Sequence, residues 1–177
     1  MRKSIFVVLI LSVMVFGIFQ SVVSAGDTEG EQNIKLTRQI FEDVWNKRNL
    51  DQVDTLVAPN CMVYSNGKLS SEVGPGIVKK MIETSVAQFP DFSITIEDVF
   101  SCGDRVTFRY VFRGTFDKLK KAVENEAIGI LQFKEGKLVK VWTANNQLAI
   151  FQQLGFKIVP PSELQIPKEE IKDPDKK

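Results

Sequence analysis

Phe92-Ser93-Ile94-Thr95-Ile96-Glu97, then Val106-Thr107-Phe108-Arg109-Tyr110-Val111-Phe112-Arg113, is the stretch that decides the fold. In the first run Phe92, Ile94 and Ile96 alternate with Ser93, Thr95 and Glu97. In the second, Val106, Phe108, Tyr110 and Phe112 alternate with Thr107, Arg109 and Arg113. A period of two sends successive side chains to opposite faces, so each run is a strand with one face buried and one wet. Cys102-Gly103-Asp104 between them has the composition of a tight turn. Downstream, Ala127–Phe133 and Leu138–Thr143 read as two more strands, joined by a hairpin turn at Glu135-Gly136. Lys118 to Asn125 is charged and reads as a loop or frayed turn.

Upstream the period changes. Ile34, Thr37, Ile40, Phe41, Val44 and Trp45 recur at helical spacing, with Arg38, Glu42 and Asp43 on the other side. This first helix ends near Lys47-Arg48. Asn49 is placed to cap a shorter second helix with Leu50, Val53, Leu56 and Val57 inward, stopped by Pro59-Asn60. Cys61-Met62-Val63-Tyr64 is a short strand, turned by Ser65-Asn66-Gly67. A third helix follows Gly74-Pro75-Gly76, its apolar stripe made by Ile77, Met81, Ile82, Ser85, Val86 and Phe89. A last short helix carries Leu148, Phe151 and Leu154, with Asn145 or Asn146 as its cap and Gly155 at its C-terminal end. Helices gather early and strands late, which predicts an α+β fold with helices packed on one face of a sheet.

The ends of the chain differ from this middle. Met1-Arg2-Lys3, an uncharged run Ile5–Phe19 and Ser21-Val22-Val23-Ser24-Ala25 have the three parts of an export signal, cut after Ala25. The competing reading is an uncleaved membrane anchor, for which an apolar run of about 15 residues is short against the roughly 20 a bilayer needs. The expected organisation is a signal at 1–25, a polar segment at 26–32, a domain at 33–156 and a Pro/Lys/Glu-rich extension at 157–177. The product is expected to be exported, periplasmic or secreted, with no membrane attachment after cleavage.

Composition narrows the function. The chain is 44% hydrophobic and 25% charged with a net charge of +1, so nothing calls for nucleic acid. It contains no histidine, which removes the usual general base near neutral pH, Ser-His and Cys-His pairs and His-based zinc sites. No phosphate loop or metal-ligand cluster is present, and no cofactor is expected. Cys61 and Cys102 either pair or stand as two small unpaired residues; two are too few for a disulfide framework.

Several pieces together resemble the SnoaL-like polyketide cyclases of the nuclear transport factor 2-like superfamily. They include Phe41-Glu42-Asp43-Val44-Trp45-Asn46-Lys47, Leu56-Val57-Ala58-Pro59, Phe89-Pro90-Asp91-Phe92, Gly103-Asp104-Arg105-Val106 and Gly136-Lys137-Leu138-Val139-Lys140-Val141-Trp142, closing on Gln153-Leu154-Gly155. The resemblance covers about Ile34 to Phe156. It implies a cone: a strongly curved, mostly antiparallel sheet wrapped around three N-terminal helices, with an apolar pocket inside and a short C-terminal helix. It also implies a homodimer formed through the sheet, and it places Cys61 and Cys102 toward different sheet edges, too far apart to bridge.

In the cyclases an acid near the end of the last strand is the general acid/base. The matching frame here is Trp142, Leu148 and Gln153-Leu154-Gly155, and the acid's place holds Asn146. A histidine found in many relatives is also missing from Cys61–Ser65. An amide cannot take a proton from carbon and return it. Asn146 either orients a carbonyl or caps the last helix, or both. The pocket candidates are Trp45, Tyr64, Phe108, Tyr110, Trp142 and Asn146, the aromatics being either pocket wall or core. Arg109 and Arg113 anchor an anion or lie on an exposed face beside solvated Glu97 and Asp98. Three functions stay open: a module binding a small hydrophobic ligand, an enzyme of cyclase or isomerase type with a non-standard acid/base, and an interaction domain whose pocket is filled by its own side chains. Export and the missing acid tilt the balance from catalysis toward binding.

Overall fold

The computed structural model describes residues 29–159. The expected export signal and most of the expected C-terminal extension lie outside the described residues. The first helix, α1, spans 29–46 and reaches back into the stretch expected to be only a polar lead-in. At Gly30 a Cβ would stand 2.4 Å from Ser101 Oγ, so the close approach of this first turn uses the missing side chain. The buried stripe of α1 is Asn33, Thr37, Ile40, Phe41 and Val44. Its last part, Ile40–Asn46, widens into a π-helix, closed by Lys47 N–H donating to Glu42 O at 3.0 Å.

Two side chains tie the end of α1 to the sheet. The Asn46 amide donates to Ile94 O at 2.9 Å and accepts from Ile94 N–H at 2.8 Å, standing in for a neighbouring strand. Arg48, at φ 61°, donates to Trp45 O and Phe92 O, both at 2.6 Å, and lies over the Phe92 ring at 3.9 Å. A cation suits the carbonyl-rich end of a helix.

The expected second helix is shorter than its sequence implied. A 3-10 turn at Leu50–Gln52 leads into a single helical turn, α2, at Val53–Leu56, and Asn49 makes no capping bond. Val57 already belongs to strand β1, Val57–Ser65. Pro59 lies where the pairing of β1 with its neighbour slips, between Val57 and Met62, a place that tolerates a residue without N–H. A two-residue strand β2, Lys68–Leu69, folds back on β1. Helix α3 spans Pro75–Gln88 and buries Val78 and Ile82.

Four long strands follow: β3 Ser93–Cys102, β4 Arg105–Phe116, β5 Lys121–Lys134 and β6 Lys137–Asn145. The segment read as a loop is in fact the first half of β5. Val123, Asn125 and Ala127 are buried there, while Lys121, Ala122, Glu124 and Glu126 are exposed. Those charges lie on the outer face, so they mark alternation, not a loop. Helix α4, Gln147–Leu154, is capped by Asn146, whose Oδ1 accepts from Ala149 N–H at 3.1 Å, and ends on Gly155 in the left-handed region.

The six strands form one sheet in the order β2-β1-β6-β5-β4-β3, with only β1 and β6 parallel. This is the α+β arrangement the sequence implies. Register slips within β1–β6, β3–β4 and β5–β6 bend the sheet around the helices. The core fills the concave side, from Ile40, Phe41 and Val44 of α1 through Ile82 of α3 to Val106, Phe108 and Leu131 of the sheet.

Cys61 and Cys102 are both free. β1 and β3 are separated in the sheet by β6, β5 and β4. Burial pushes the Cys61 thiol up to about 11, whereas Cys102 is exposed at the β3–β4 turn. A thiol reagent such as Ellman's at pH 8 is therefore expected to modify one thiol per chain in the folded state, at Cys102, and a second only after unfolding. Rapid modification of both thiols without denaturant would show that Cys61 is not held as described.

Candidate functional site

The concave side of the sheet is not packed solid. A cavity of about 260 Å³ lies between α1, α3 and the inner faces of β4, β5 and β6. The π-helical end of α1 supplies Ile40, Phe41 and Trp45; α3 supplies Val78 and Met81, and Phe89 follows at its C-terminal end. Opening one helical turn to π geometry is a deviation that recurs at functional sites. The aromatic wall is continuous: the Phe41 centroid is 5.0 Å from Phe108, 5.9 Å from Tyr110 and 6.4 Å from Trp45.

Cross-strand register explains how this wall forms. Phe108 faces Gly129, which faces Thr143, which faces Ser65. A Cβ on Gly129 would lie 2.3 Å from the Phe108 ring, so the ring can lie across β5 only because that position has no side chain. Tyr110 faces Ala127, which faces Asn145; Phe112 faces Asn125. The inner face thus carries large rings on β4 over small residues on β5.

Among the described residues no Asp, Glu, Lys or Arg lines the cavity; its polar residues are Ser, Thr, Asn, Gln and Tyr110. Tyr110 is the one lining phenol, and burial pushes it up to about 12. At neutral pH it is a hydrogen-bond donor and holds its proton. Ser85 and Thr84 spend their hydroxyls on the α3 carbonyls of Met81 and Lys80, at 2.9 and 2.7 Å. Asn145 is engaged with Asn66, accepting from its Nδ2 at 3.1 Å and donating its N–H to its Oδ1 at 2.9 Å. The exposed Gln88 and Gln147 mark the mouth, between the end of α3 and the start of α4.

Of the six residues named from sequence, Trp45, Phe108 and Tyr110 line the cavity. Tyr64, Trp142 and Asn146 do not. Tyr64 and Trp142 are paired in register and stack on the opposite face, with centroids 5.7 Å apart at 13°. The pairing of β5 with β6 passes from Phe133–Leu138 to Gln132–Lys140, leaving Val139 as an extra residue. That residue shifts the phase: Leu138, Val141 and Thr143 face inward, and Trp142 faces out. Asn146 is exposed and spent on its helix, while Asn145, one residue earlier, faces the cavity. Asn125 and Asn145 are among the lining residues that sequence reasoning did not place in the pocket. The alternation of Val123, Asn125 and Ala127 was the available signal for the first.

Arg109 and Arg113 lie on the outer face and are paired. Arg109 donates to Asp98 at 2.7 Å and Glu126 at 3.1 Å, and Arg113 to Glu124 at 2.7 Å. Their charges are met by carboxylates, which removes the reason to read them as an anion anchor. No group of three or more metal-ligating side chains occurs among the described residues.

The chain matches the family described as SnoaL-like polyketide cyclase over residues 35–154. No curated protein matches it. Among solved structures it is similar to AclR, a candidate hydroxylase from Streptomyces galilaeus, at 21% identity and a TM-score of 0.64, covering 75% of this chain and 91% of that one. It is similar to IdmH, a candidate polyketide cyclase from Streptomyces antibioticus, at 22% identity and a TM-score of 0.63, covering 71% and 99%. A candidate polyketide cyclase from Bacillus cereus is 26% identical with a TM-score of 0.62, covering 70% and 80%. The names of these proteins diverge in chemistry although their folds agree, so the site must decide.

Proposed function

The chain belongs to the SnoaL-like polyketide cyclase family, and for this member we propose ligand binding rather than ring closure. Its cavity takes up a small, uncharged, mainly apolar molecule. The observation that carries this reading is the lining itself, in which rings and aliphatic side chains are joined only by neutral polar groups. Cyclase-type chemistry moves a proton off carbon and back, which calls for a group that titrates near the working pH. Tyr110, pushed up to about 12, is far from that range. At about 260 Å³ the space lies just under the ~300–1,000 Å³ usual for ligand sites, so the ligand is small. The same open volume speaks against an interaction domain with a self-filled pocket.

Two further elements complete the proposal. The N-terminal 25 residues act as an export signal, so binding takes place in the periplasm or outside the cell. Two copies then pair through the outer sheet face. Phe100, Thr107, Ile130, Trp142, Tyr64 and Leu69 form one cross-strand file over all six strands. Phe100 is 61% exposed and Leu69 51%, and Ile128 in the next file is 54% exposed. An apolar belt of this kind is what a self-complementary interface uses.

Native mass spectrometry of the protein recovered from the cell envelope and from the medium tests all three parts. The expected species is a dimer of chains starting at Gly26, carrying a neutral small molecule that is lost on mild activation. A chain that retains residues 1–25 would overturn the export element. A ligand-free protein that also fails to bind naphthalene by calorimetry would overturn the binding reading.

A further inference from the structure

The described residues contain no fully enclosed side-chain nitrogen or oxygen without a partner. Asn125 stands out against that background. Only 6% of it is exposed, its side chain lines the cavity, and among the described residues its amide has no hydrogen-bond partner. Its polar atoms therefore open into the cavity. Of the other polar groups, Ser85 and Thr84 bond α3 carbonyls, Asn145 Oδ1 accepts from Asn66, Gln88 and Gln147 are exposed at the mouth, and Ser65 and Thr143, opposite each other on β1 and β6, are only half-buried. An amide that opens into a cavity is partnered there by solvent, which a ligand with matching hydrogen-bonding groups can replace.

Tyr110 is its neighbour on the same inner face. Asn125 sits opposite Phe112, and Tyr110 two residues along β4 sits opposite Ala127. Such diagonal positions on an antiparallel pair are about 7–8 Å apart, within reach of one small ligand. The Tyr110 hydroxyl also has no hydrogen-bond partner among the described residues, and its ring is held by Phe41 and Phe108 at 5.9 and 5.5 Å. An amide offers a donor and an acceptor side by side, and the phenol adds one donor.

We propose that the Asn125 amide and the Tyr110 hydroxyl form the recognition end of the cavity. They select an uncharged, flat, mainly apolar ligand that carries a hydrogen-bond acceptor directly beside a donor, as a lactam or amide does. The ligand's acceptor takes the Asn125 N–H and the Tyr110 O–H, and its donor is received by Asn125 Oδ1. Its apolar body lies along the wall of Phe41, Trp45 and Phe108. An anion is excluded because nothing in the lining meets its charge. This rests on the binding reading above and names the ligand class for the same cavity.

Three probes of nearly the same shape test it by calorimetry: isoquinolin-1(2H)-one, which has the adjacent donor and acceptor; naphthalene, which has neither; and 1-naphthoate, which is charged. The lactam is expected to bind roughly tenfold or more tighter than naphthalene, with 1-naphthoate weakest. Asn125→Leu should bring the lactam down to the affinity of naphthalene. Tyr110→Phe should reduce the ratio in part, roughly threefold. If Asn125→Leu does not fold, the wild-type ratio and Tyr110→Phe still decide. Equal binding of lactam and naphthalene by the wild type would overturn this inference and leave the binding reading intact, whereas a tighter 1-naphthoate would overturn this inference and the uncharged ligand of that reading together. Failure of all three probes would overturn both.

Discussion

Phe108→Ala is expected to destabilise the protein by about 3–5 kcal/mol, read from urea unfolding midpoints at constant slope. Phe108 is 0% exposed and sits at the centre of the inner face. Its ring touches Phe41 from α1 and Tyr110 along its own strand, at 5.0 and 5.5 Å. Its tip lies over Gly129 of β5. Truncation removes the contacts that join α1 to the sheet and leaves an apolar void that merges with the existing cavity. Water gains little there, because the walls offer it few partners. Against a usual total of about 5–15 kcal/mol, the loss is a large share of the stability. The companion change Gly129→Ala separates packing from propensity. In the wild type its methyl would meet the Phe108 ring at 2.3 Å and should destabilise. In the Phe108→Ala background the same methyl enters the void and should restore part of the loss, a coupling of opposite sign that a double-mutant cycle reads directly. A loss under about 1 kcal/mol for Phe108→Ala would mean that the ring is not the packing centre of the fold.

What the sequence made legible followed from uninterrupted periodicity. Phe92–Glu97 and Val106–Arg113 alternate cleanly, and the strands and turn stand where that pattern puts them, at β3, β4 and the turn after Cys102. The stripe of α1 was legible for the same reason. What stayed hidden depended on a single extra residue or on which neighbour a residue meets. Val57 continues the helical spacing of Leu50, Val53 and Leu56 locally, yet pairing with Leu138 draws it into β1. The charges of Lys121, Glu124 and Glu126 masked a strand because outward charges look like a loop until a cross-strand partner is known. For Glu124 that partner is the outward Arg113 opposite it.

The site was harder than the fold. Trp142 looked like pocket wall, but the extra residue at Val139 reverses the phase of β6 and delivers the indole to the outer belt. Asn145 and Asn146 are adjacent and chemically identical, and only the point where β6 ends and α4 begins decides which faces inward. Asn125 was missed because the charges around it hid the alternation of Val123, Asn125 and Ala127 that marks it as inward-facing. Composition did carry one site property: with no histidine in the chain, no imidazole can stand among the lining residues.

Val141→Phe should abolish binding of naphthalene, lowering its affinity by roughly a hundredfold or more, while changing stability by less than about 1 kcal/mol. Val141 faces the cavity between Val63 of β1 and Leu131 of β5. An added ring at that position has only the cavity to enter. In a close-packed interior such an enlargement forces side chains off their rotamers and costs about 1–3 kcal/mol. In an open cavity it gains dispersion contacts instead and removes the volume the ligand needs. The two readouts therefore move oppositely under the two pictures. Binding lost with stability kept is the result expected of a real, empty ligand site on this side of the sheet. Stability lost by 3 kcal/mol with naphthalene still bound would place the ligand elsewhere, and with it the reason why β4 presents rings opposite the small residues of β5.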